Sequence, residues 1–273
     1  MAIDQAYQRR QQDTEGEFYR RIVQQSPRKD FGNATTQGLF MASARGQFLG
    51  FTNHRNPERV LRMLREASGR NPQADAEAIV RDTVDRRYNP QLPAGGLIVR
   101  VQARILSGYD PPESDYERIF QTALSRDNLW VTPGEHQALV AGEVPGSLVR
   151  RIARFHLVDN TRGEPPMWEP AEIQRATMAL SAGRLSGEFA LSTADGSRRY
   201  DCQLRGEVDV QEGRVRRLDA VVLGLFAGEG RYTRNAPPRP FPLAISFTLA
   251  DGSDIADAVP PQGGRGWIDG YLK

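Results

Sequence analysis

The most constraining feature of the sequence is a period-two alternation of apolar and polar residues through its C-terminal part. It runs from Arg184 to Leu191, again from Tyr200 to Val210, and again from Leu243 to Leu249. Successive side chains of a strand lie on opposite faces, so each of these runs is a strand with one apolar face. Charged residues occupy the other face, which predicts an antiparallel sheet with one side on a core and one side in water.

Turn residues separate these predicted strands. Asp195-Gly196 and Glu212-Gly213 each lie between two alternating runs, where a hairpin needs residues that accept a positive φ. The run Leu218–Phe226 is almost wholly apolar and is expected to be a central strand covered on both faces. Five or six strands of this kind favour a curled sheet, a barrel or a sandwich.

The residues before this sheet read mainly as helices. Leu97 to Ile105 alternates as a further strand, and helical stretches are predicted over Tyr116–Ser125, Thr132–Ala141 and Pro145–Leu157 as a cover for the sheet. Two prolines and two glycines between Asn89 and Gly96 mark a domain boundary. The predicted fold class is α+β, with a helix-rich domain over residues 1–90 and a mainly antiparallel β domain with covering helices over residues 91–273.

The N-terminal domain contains a predicted hairpin between two helices. Two apolar runs from Leu39 to Thr52 flank Gly46, which can take the positive φ of a tight turn. Asn56-Pro57 opens a helix after the hairpin, and another helix is expected from about Gln73 to Arg87. A first helix is expected from about residue 15 to residue 25.

Residues 34–67, ATTQGLFMASARGQFLGFTNHRNPERVLRMLREA, resemble the last β-hairpin and final helix of a thioredoxin-like fold. The resemblance covers 34 residues, and Thr35-Thr36 stands where thioredoxins carry a cis-proline. No CxxC pair is present, so the resemblance implies the hairpin-helix geometry without thiol–disulfide chemistry. The chain as a whole also resembles a family of planctomycete-type bacterial proteins, a resemblance that brings no motif with known chemistry.

Composition excludes several classes of function. The formal charge is +2, from 36 basic and 34 acidic residues, which predicts no general attraction to nucleic acid or to an anionic membrane. Cys202 is the one cysteine, so a cysteine-rich metal site is excluded, and the chain lacks a P-loop and a GxSxG elbow. No apolar run is long enough to span a bilayer, and the N-terminus lacks a signal-peptide core. The expected location is cytoplasmic, although an exported chain whose leader has been removed would look the same.

The densest group of polar residues lies between the helices and the sheet and is called here the 156–168 cluster. It comprises His156, Asp159, Asn160, Arg162, Glu164 and Trp168. His156, Asp159 and Glu164 are the candidate catalytic residues because an imidazole and two carboxylates can serve as acid and base. Asn160, Arg162 and Trp168 are candidate binding residues. The structural alternative is that Asp159 and Asn160 shape a turn, Arg162 pairs with Glu164, and Trp168 packs under the sheet.

The loop from Gly228 to Pro242 is the second candidate site. Arg231, Tyr232 and Arg234 could grip a phosphate or stack on a base, or they could lie on a solvated connection stiffened by prolines.

The leading hypothesis is therefore a non-catalytic binding or structural module without redox activity, with a protein or small-molecule ligand. The alternatives are a hydrolase-type or metal-dependent enzyme at the 156–168 cluster and, more weakly, an anion- or nucleic-acid-binding module at the arginine loop. No cofactor or metal is predicted, and we expect the scattered histidines to be surface or capping residues.

Overall fold

A computed structural model describes residues 4–29, 37–54, 56–70 and 84–273 of the chain. The chain divides into two compact units, with the boundary between Gln91 and Leu92. Within the described ranges, no helix combines the length and the apolar character that a membrane span requires.

In the described residues of the N-terminal unit there are three helices and one two-stranded hairpin. They are α1 (Gln5–Gln8), α2 (Thr14–Gln24), β1 (Leu39–Ala42), β2 (Phe48–Thr52) and α3 (Pro57–Arg70). The hairpin predicted around Gly46 is confirmed, because β1 and β2 pair antiparallel and Gly46 has a φ of +80°. Asp13 caps α2 by accepting a hydrogen bond from the Gly16 amide over 3.1 Å. The helix predicted over 73–87 lies largely outside the described residues.

The C-terminal unit is built on one seven-stranded sheet. Its elements are β3 (Leu97–Ile105), α4 (Asp115–Gln121), β4 (Asp127–Val131), α5 (Pro133–Val140), α6 (Gly146–Arg151), a π-helix (Ile152–His156), β5 (Ile173–Ser181), β6 (Arg184–Ser192), β7 (Arg199–Gln211), β8 (Arg214–Ala227), β9 (Phe241–Leu249) and α7 (Ile268–Leu272). The strand order is β4-β3-β9-β8-β7-β6-β5, and every neighbouring pair is antiparallel. An α+β fold with a curled antiparallel sheet is therefore confirmed, with two strands, β4 and β5, that the sequence patterns did not identify.

Two-residue turns join two of the hairpins of this sheet, β5–β6 and β7–β8. Ala182 and Gly183 join β5 to β6 with φ values of 49° and 75°, and Glu212 and Gly213 join β7 to β8 with φ values of 52° and 69°. Turns with two positive φ values match the twist of the strands that they join. The predicted Glu212-Gly213 turn is confirmed.

One face of the sheet carries the core, and α5, α6 and the π-helix pack against it. Leu204, Val222 and Ile245 are almost completely buried on this face. The helical cover predicted from the sequence is thus confirmed for α5, α6 and the π-helix, whereas α4 has no buried residue. The prediction that Leu218–Phe226 is covered on both faces is wrong, because Leu223 and Leu225 are 50% and 57% exposed on the opposite face.

Unequal strand lengths open a gap in the sheet. The β8–β9 pairing ends at Asp219 opposite Thr248, whereas β8 begins at Arg214. The first residues of β8 therefore pair with β7 on one side and with no strand on the other side, within the described part of the chain.

Candidate functional site

Asp159 and Arg162 of the 156–168 cluster form a buried ion pair. Asp159 Oδ1 accepts hydrogen bonds from the amide and the hydroxyl of Thr161, over 3.1 and 2.6 Å, and Oδ2 accepts two from the Arg162 guanidinium. Arg162 also donates to the carbonyl of Thr233 in the arginine loop. Every carboxylate oxygen of Asp159 has a donor, which is typical of a carboxylate that shapes a turn.

His156 belongs to a different network, in which its partners come from distant parts of the chain. Its Nε2 lies 2.8 Å from the Tyr271 hydroxyl, which also accepts a hydrogen bond from the Trp130 amide over 3.2 Å. Its Nδ1 lies 3.2 Å from Asp127 Oδ2, but the atoms are not aligned for a hydrogen bond. The imidazole is fully buried and Asp127 is 7% exposed, so a substrate has no direct route to this Asp–His–Tyr row. The expectation that His156 is a surface or capping residue is wrong.

Trp168 is the anchor of the segment between helix and sheet. Its side chain is fully buried, Nε1 donates to the carbonyl of Leu157 over 2.7 Å, and the Arg198 guanidinium lies 3.8 Å from the ring centroid. The expectation that Trp168 packs under the sheet is confirmed.

The other members of the cluster lie nearer to solvent. Glu164 is 56% exposed and pairs with Arg265 over 3.0 Å, so the expected pair between Arg162 and Glu164 is replaced by Arg162–Asp159 and Arg265–Glu164. Asn160 is half-buried. The acidic and basic candidates are thus divided between separate networks.

The arginine loop lies against the 156–168 cluster. A Cβ at Gly163 would lie 2.1 Å from the carbonyl oxygen of Tyr232, so the two segments approach at backbone distance. Arg231, Tyr232 and Arg234 themselves are exposed, and the Arg231 guanidinium lies 5.2 Å from the Tyr232 ring centroid. Two regions that are separate in sequence therefore meet, and the exposed arginines and tyrosine at this place come from the loop.

A third buried network was not identified from the sequence. Arg151 is fully buried, donates to Glu135 over 2.6 Å and to the carbonyls of Trp130 and Tyr271 over 3.1 and 2.8 Å. Burial acts to raise the pKa of Glu135, but hydrogen bonds from Arg151 and other donors outweigh it, and the pKa lies below its ordinary value. The sequence feature that could have indicated this network is the capping box of α5, in which Glu135 and Thr132 exchange hydrogen bonds.

A groove of about 980 Å³ lies at the gap in the sheet and is called here the β8–β3 groove. Its walls are formed by the start of β8 with the turn before it, by the end of β9 with the residues after it, and by the start of β3 with the residues before it. They are Leu92, Gly95, Gly96, Leu97, Ile98, Gln137, Gly213, Arg214, Val215, Arg216, Arg217, Leu218, Asp219, Thr248, Leu249, Ala250, Asp251, Gly252 and Asp257. Polar and apolar atoms both line it, as in pockets that orient a ligand.

His136 forms the floor of this groove. Its Nε2 accepts a hydrogen bond from the Val215 amide over 3.1 Å, so Nδ1 carries the proton that is donated to the Gly95 carbonyl over 2.8 Å. The ring thus supplies the hydrogen-bond acceptor for Val215 that a neighbouring strand would supply elsewhere in the sheet. The expectation that His136 is a surface or capping residue is wrong, whereas His54 is exposed as expected.

The two charged walls of the groove differ in their partners. Asp257, on the β9 side, has a pKa below its ordinary range because Arg100 and Arg126 donate hydrogen bonds to it. Arg216, on the β8 side, pairs with Glu212 over 2.8 Å, and Arg214 forms no ion pair within the part of the chain that the structure describes.

Within the same described ranges, no three histidine, cysteine or acidic side chains converge on a point where they could hold a metal ion. Comparisons with protein-family models, curated proteins and solved structures give no match to this chain.

Proposed function

We propose that the chain is a non-catalytic binding module and that its C-terminal unit holds the ligand in the β8–β3 groove. The observation that carries the proposal is the way His136 builds the floor of a groove of about 980 Å³. A ligand site of this size is ordinary for a small molecule or a short peptide segment.

Rigidity of the groove supports a binding role. Both ring nitrogens of His136 are engaged, and its neighbour Val215 is buried, so the floor does not have to reorganise when a ligand enters. A pre-organised site loses less conformational entropy on binding. The ligand itself would contact the exposed Arg214 and Thr248 on opposite walls.

The state of the acidic and basic candidates supports the absence of catalysis. A catalytic base must reach the proton that it removes within hydrogen-bond distance. Asp159 uses both oxygens for internal hydrogen bonds, and His156 is enclosed by Tyr271 and Asp127. Neither side chain lines the β8–β3 groove.

The experiment screens the full chain, labelled with ¹⁵N, against a library of soluble polar fragments and follows amide chemical shifts. We expect the shifts to cluster at Gly95, Val215 and Thr248. Thr248→Trp places a large side chain into the groove from an exposed position and should abolish these shifts. The matched control Gln203→Trp lies on an exposed position of β7 and should leave them unchanged.

Turnover is measured in parallel with a panel of chromogenic esters, phosphoesters and glycosides. Hydrolysis that disappears in His156→Gln or Asp159→Asn, with the melting temperature unchanged, would refute the proposal in favour of an enzyme at the 156–168 cluster. Fragment shifts that survive Thr248→Trp would refute the groove as the site.

A further inference from the structure

The two edge strands of the seven-stranded sheet, β4 and β5, differ in how far other segments of the chain cover them. At the β4 edge, the Trp130 amide donates to Tyr271 and its carbonyl accepts from Arg151, while the Asn128 side chain donates to the carbonyls of Ala256 and Val259. The C-terminal segment therefore covers this edge. At the β5 edge, within the described chain, the strand pairs with β6 alone.

The open edge has few of the features that keep strands apart. Exposed edges are usually shortened, bulged, or protected by lysine or proline. The strand β5 has nine residues, its one irregularity lies between Ile173 and Arg175, and Arg175 is its one charged residue. From Arg175 to Ser181 the strand is regular and uncharged beyond its first residue.

Its side chains also leave part of the core open. Ala176, Met178 and Leu180 point toward the core but are half-buried, whereas Thr177 and Ala179 on the other face are exposed. A strand added beside β5 with the same alternation would extend the core over the half-buried row.

We propose that β5 pairs antiparallel with β5 of a second copy of this chain, joining two sheets across a twofold axis at Met178. A symmetric antiparallel pair keeps like faces together when a residue lies on the axis. Met178 is the midpoint of the regular part, 175–181. This register places Thr177 opposite Ala179 and Arg175 opposite Ser181 of the other copy.

The charge pattern of the strand is compatible with this register. The two copies of Arg175 lie at opposite ends of the paired segment, about 20 Å apart along the strands. Each remains beside Glu188 of its own β6, at 3.7 Å. Pairing with a second copy of β5 therefore brings no like charges into contact.

The test is sedimentation equilibrium of the full chain with charges introduced next to the axis. Thr177→Lys and Ala179→Glu alter exposed side chains and leave the core face unchanged. Each variant places two like charges on diagonal positions about 7 Å apart across the axis, and we expect the dimer dissociation constant to rise at least about tenfold. The matched control Gln203→Lys, on the exposed face of β7, should leave it unchanged.

Rescue defines the register. In the double variant Thr177→Lys with Ala179→Glu, each lysine faces a glutamate of the other copy, and dimerisation should return to within about threefold of the original chain. The proposal is overturned by a chain that stays monomeric up to about 100 µM, by single variants that dimerise normally, or by a double variant that is not rescued. The groove and its ligand are unaffected by any of these outcomes, because β5 contributes no residue to the groove.

Discussion

Replacing Trp168 with alanine measures how far the segment between helix and sheet stabilises the C-terminal unit. The indole is fully buried, and truncation of a buried Trp costs about 3–5 kcal/mol through lost burial and the cavity that remains. The Leu157 carbonyl also loses the Nε1 donor at 2.7 Å, which costs roughly 1–3 kcal/mol where no water replaces it. Because such contributions overlap, we expect a total loss of about 4–6 kcal/mol in the free energy of unfolding.

Urea unfolding followed by far-UV circular dichroism gives this free energy, with separate transitions fitted if the N-terminal unit unfolds by itself. Trp168→Phe keeps most of the burial and removes the donor, so it should lose only part of the total. Trp267→Ala is the matched control: this indole is 55% exposed and contacts Lys273, so its loss should cost about 1 kcal/mol or less. Equal losses for Trp168→Ala and Trp267→Ala would refute the assignment of Trp168 as the anchor.

Three buried side chains of the same unit, those of Cys202, Leu204 and Glu135, can be tested in the same way. Burial raises the pKa of Cys202 to about 12, so the native thiol should resist a maleimide at neutral pH and react only after urea is added. Leu204→Asp should cost several kcal/mol in urea titrations, whereas Gln203→Asp, on the exposed face, should cost about 0.5 kcal/mol or less; similar losses would contradict the register. The folded-state pKa of Glu135 lies below its ordinary value of 4.5, so its pair with Arg151 stabilises the fold above pH 4.5 and this contribution is lost as the pH falls through the lower pKa. Glu135→Gln should reduce the acid dependence of the melting temperature below pH 4.5, and an unchanged acid dependence would count against the pair.

The sequence predicts the long strands of the sheet because their two faces differ. In β6, β7 and β9 one face is buried and the other meets water, so the alternation is visible in the residue types. All five residues of β4 are buried, and a strand without an exposed face has no alternation to detect. For the run Leu218–Phe226 the sequence predicts too much burial. Its apolar residues on the outer face are exposed, and nothing in their identity distinguishes them from core residues.

The networks of the candidate site are harder to predict because their partners are distant in sequence. Asp159, Thr161 and Arg162 lie within four positions, and their turn was one of the alternatives that the sequence offered. His156 and Arg151 instead reach Tyr271, more than a hundred positions away, so local spacing contains no sign of the contact. The polar cluster was thus found, but its division into separate buried networks follows from the tertiary fold.

The proposed ligand site follows from strand lengths, which local residue types do not encode. β8 has 14 residues and β9 has 9, so the start of β8 extends past its neighbour and opens the groove. The Val215 amide at this point would lose its hydrogen-bond partner, and an unpaired buried amide costs about 1–3 kcal/mol. His136 Nε2 accepts the hydrogen bond of this amide, and Nδ1 donates to the Gly95 carbonyl. The gap in the sheet therefore stays open without the cost of an unpaired amide. His136→Phe would preserve the volume of the ring but remove both hydrogen bonds, so we expect a loss of roughly 2–4 kcal/mol in the free energy of unfolding by urea and faster hydrogen exchange at Val215. If exchange at Val215 stayed slow in this variant, another acceptor would be closing the gap and the groove would lack the floor on which the proposed function depends.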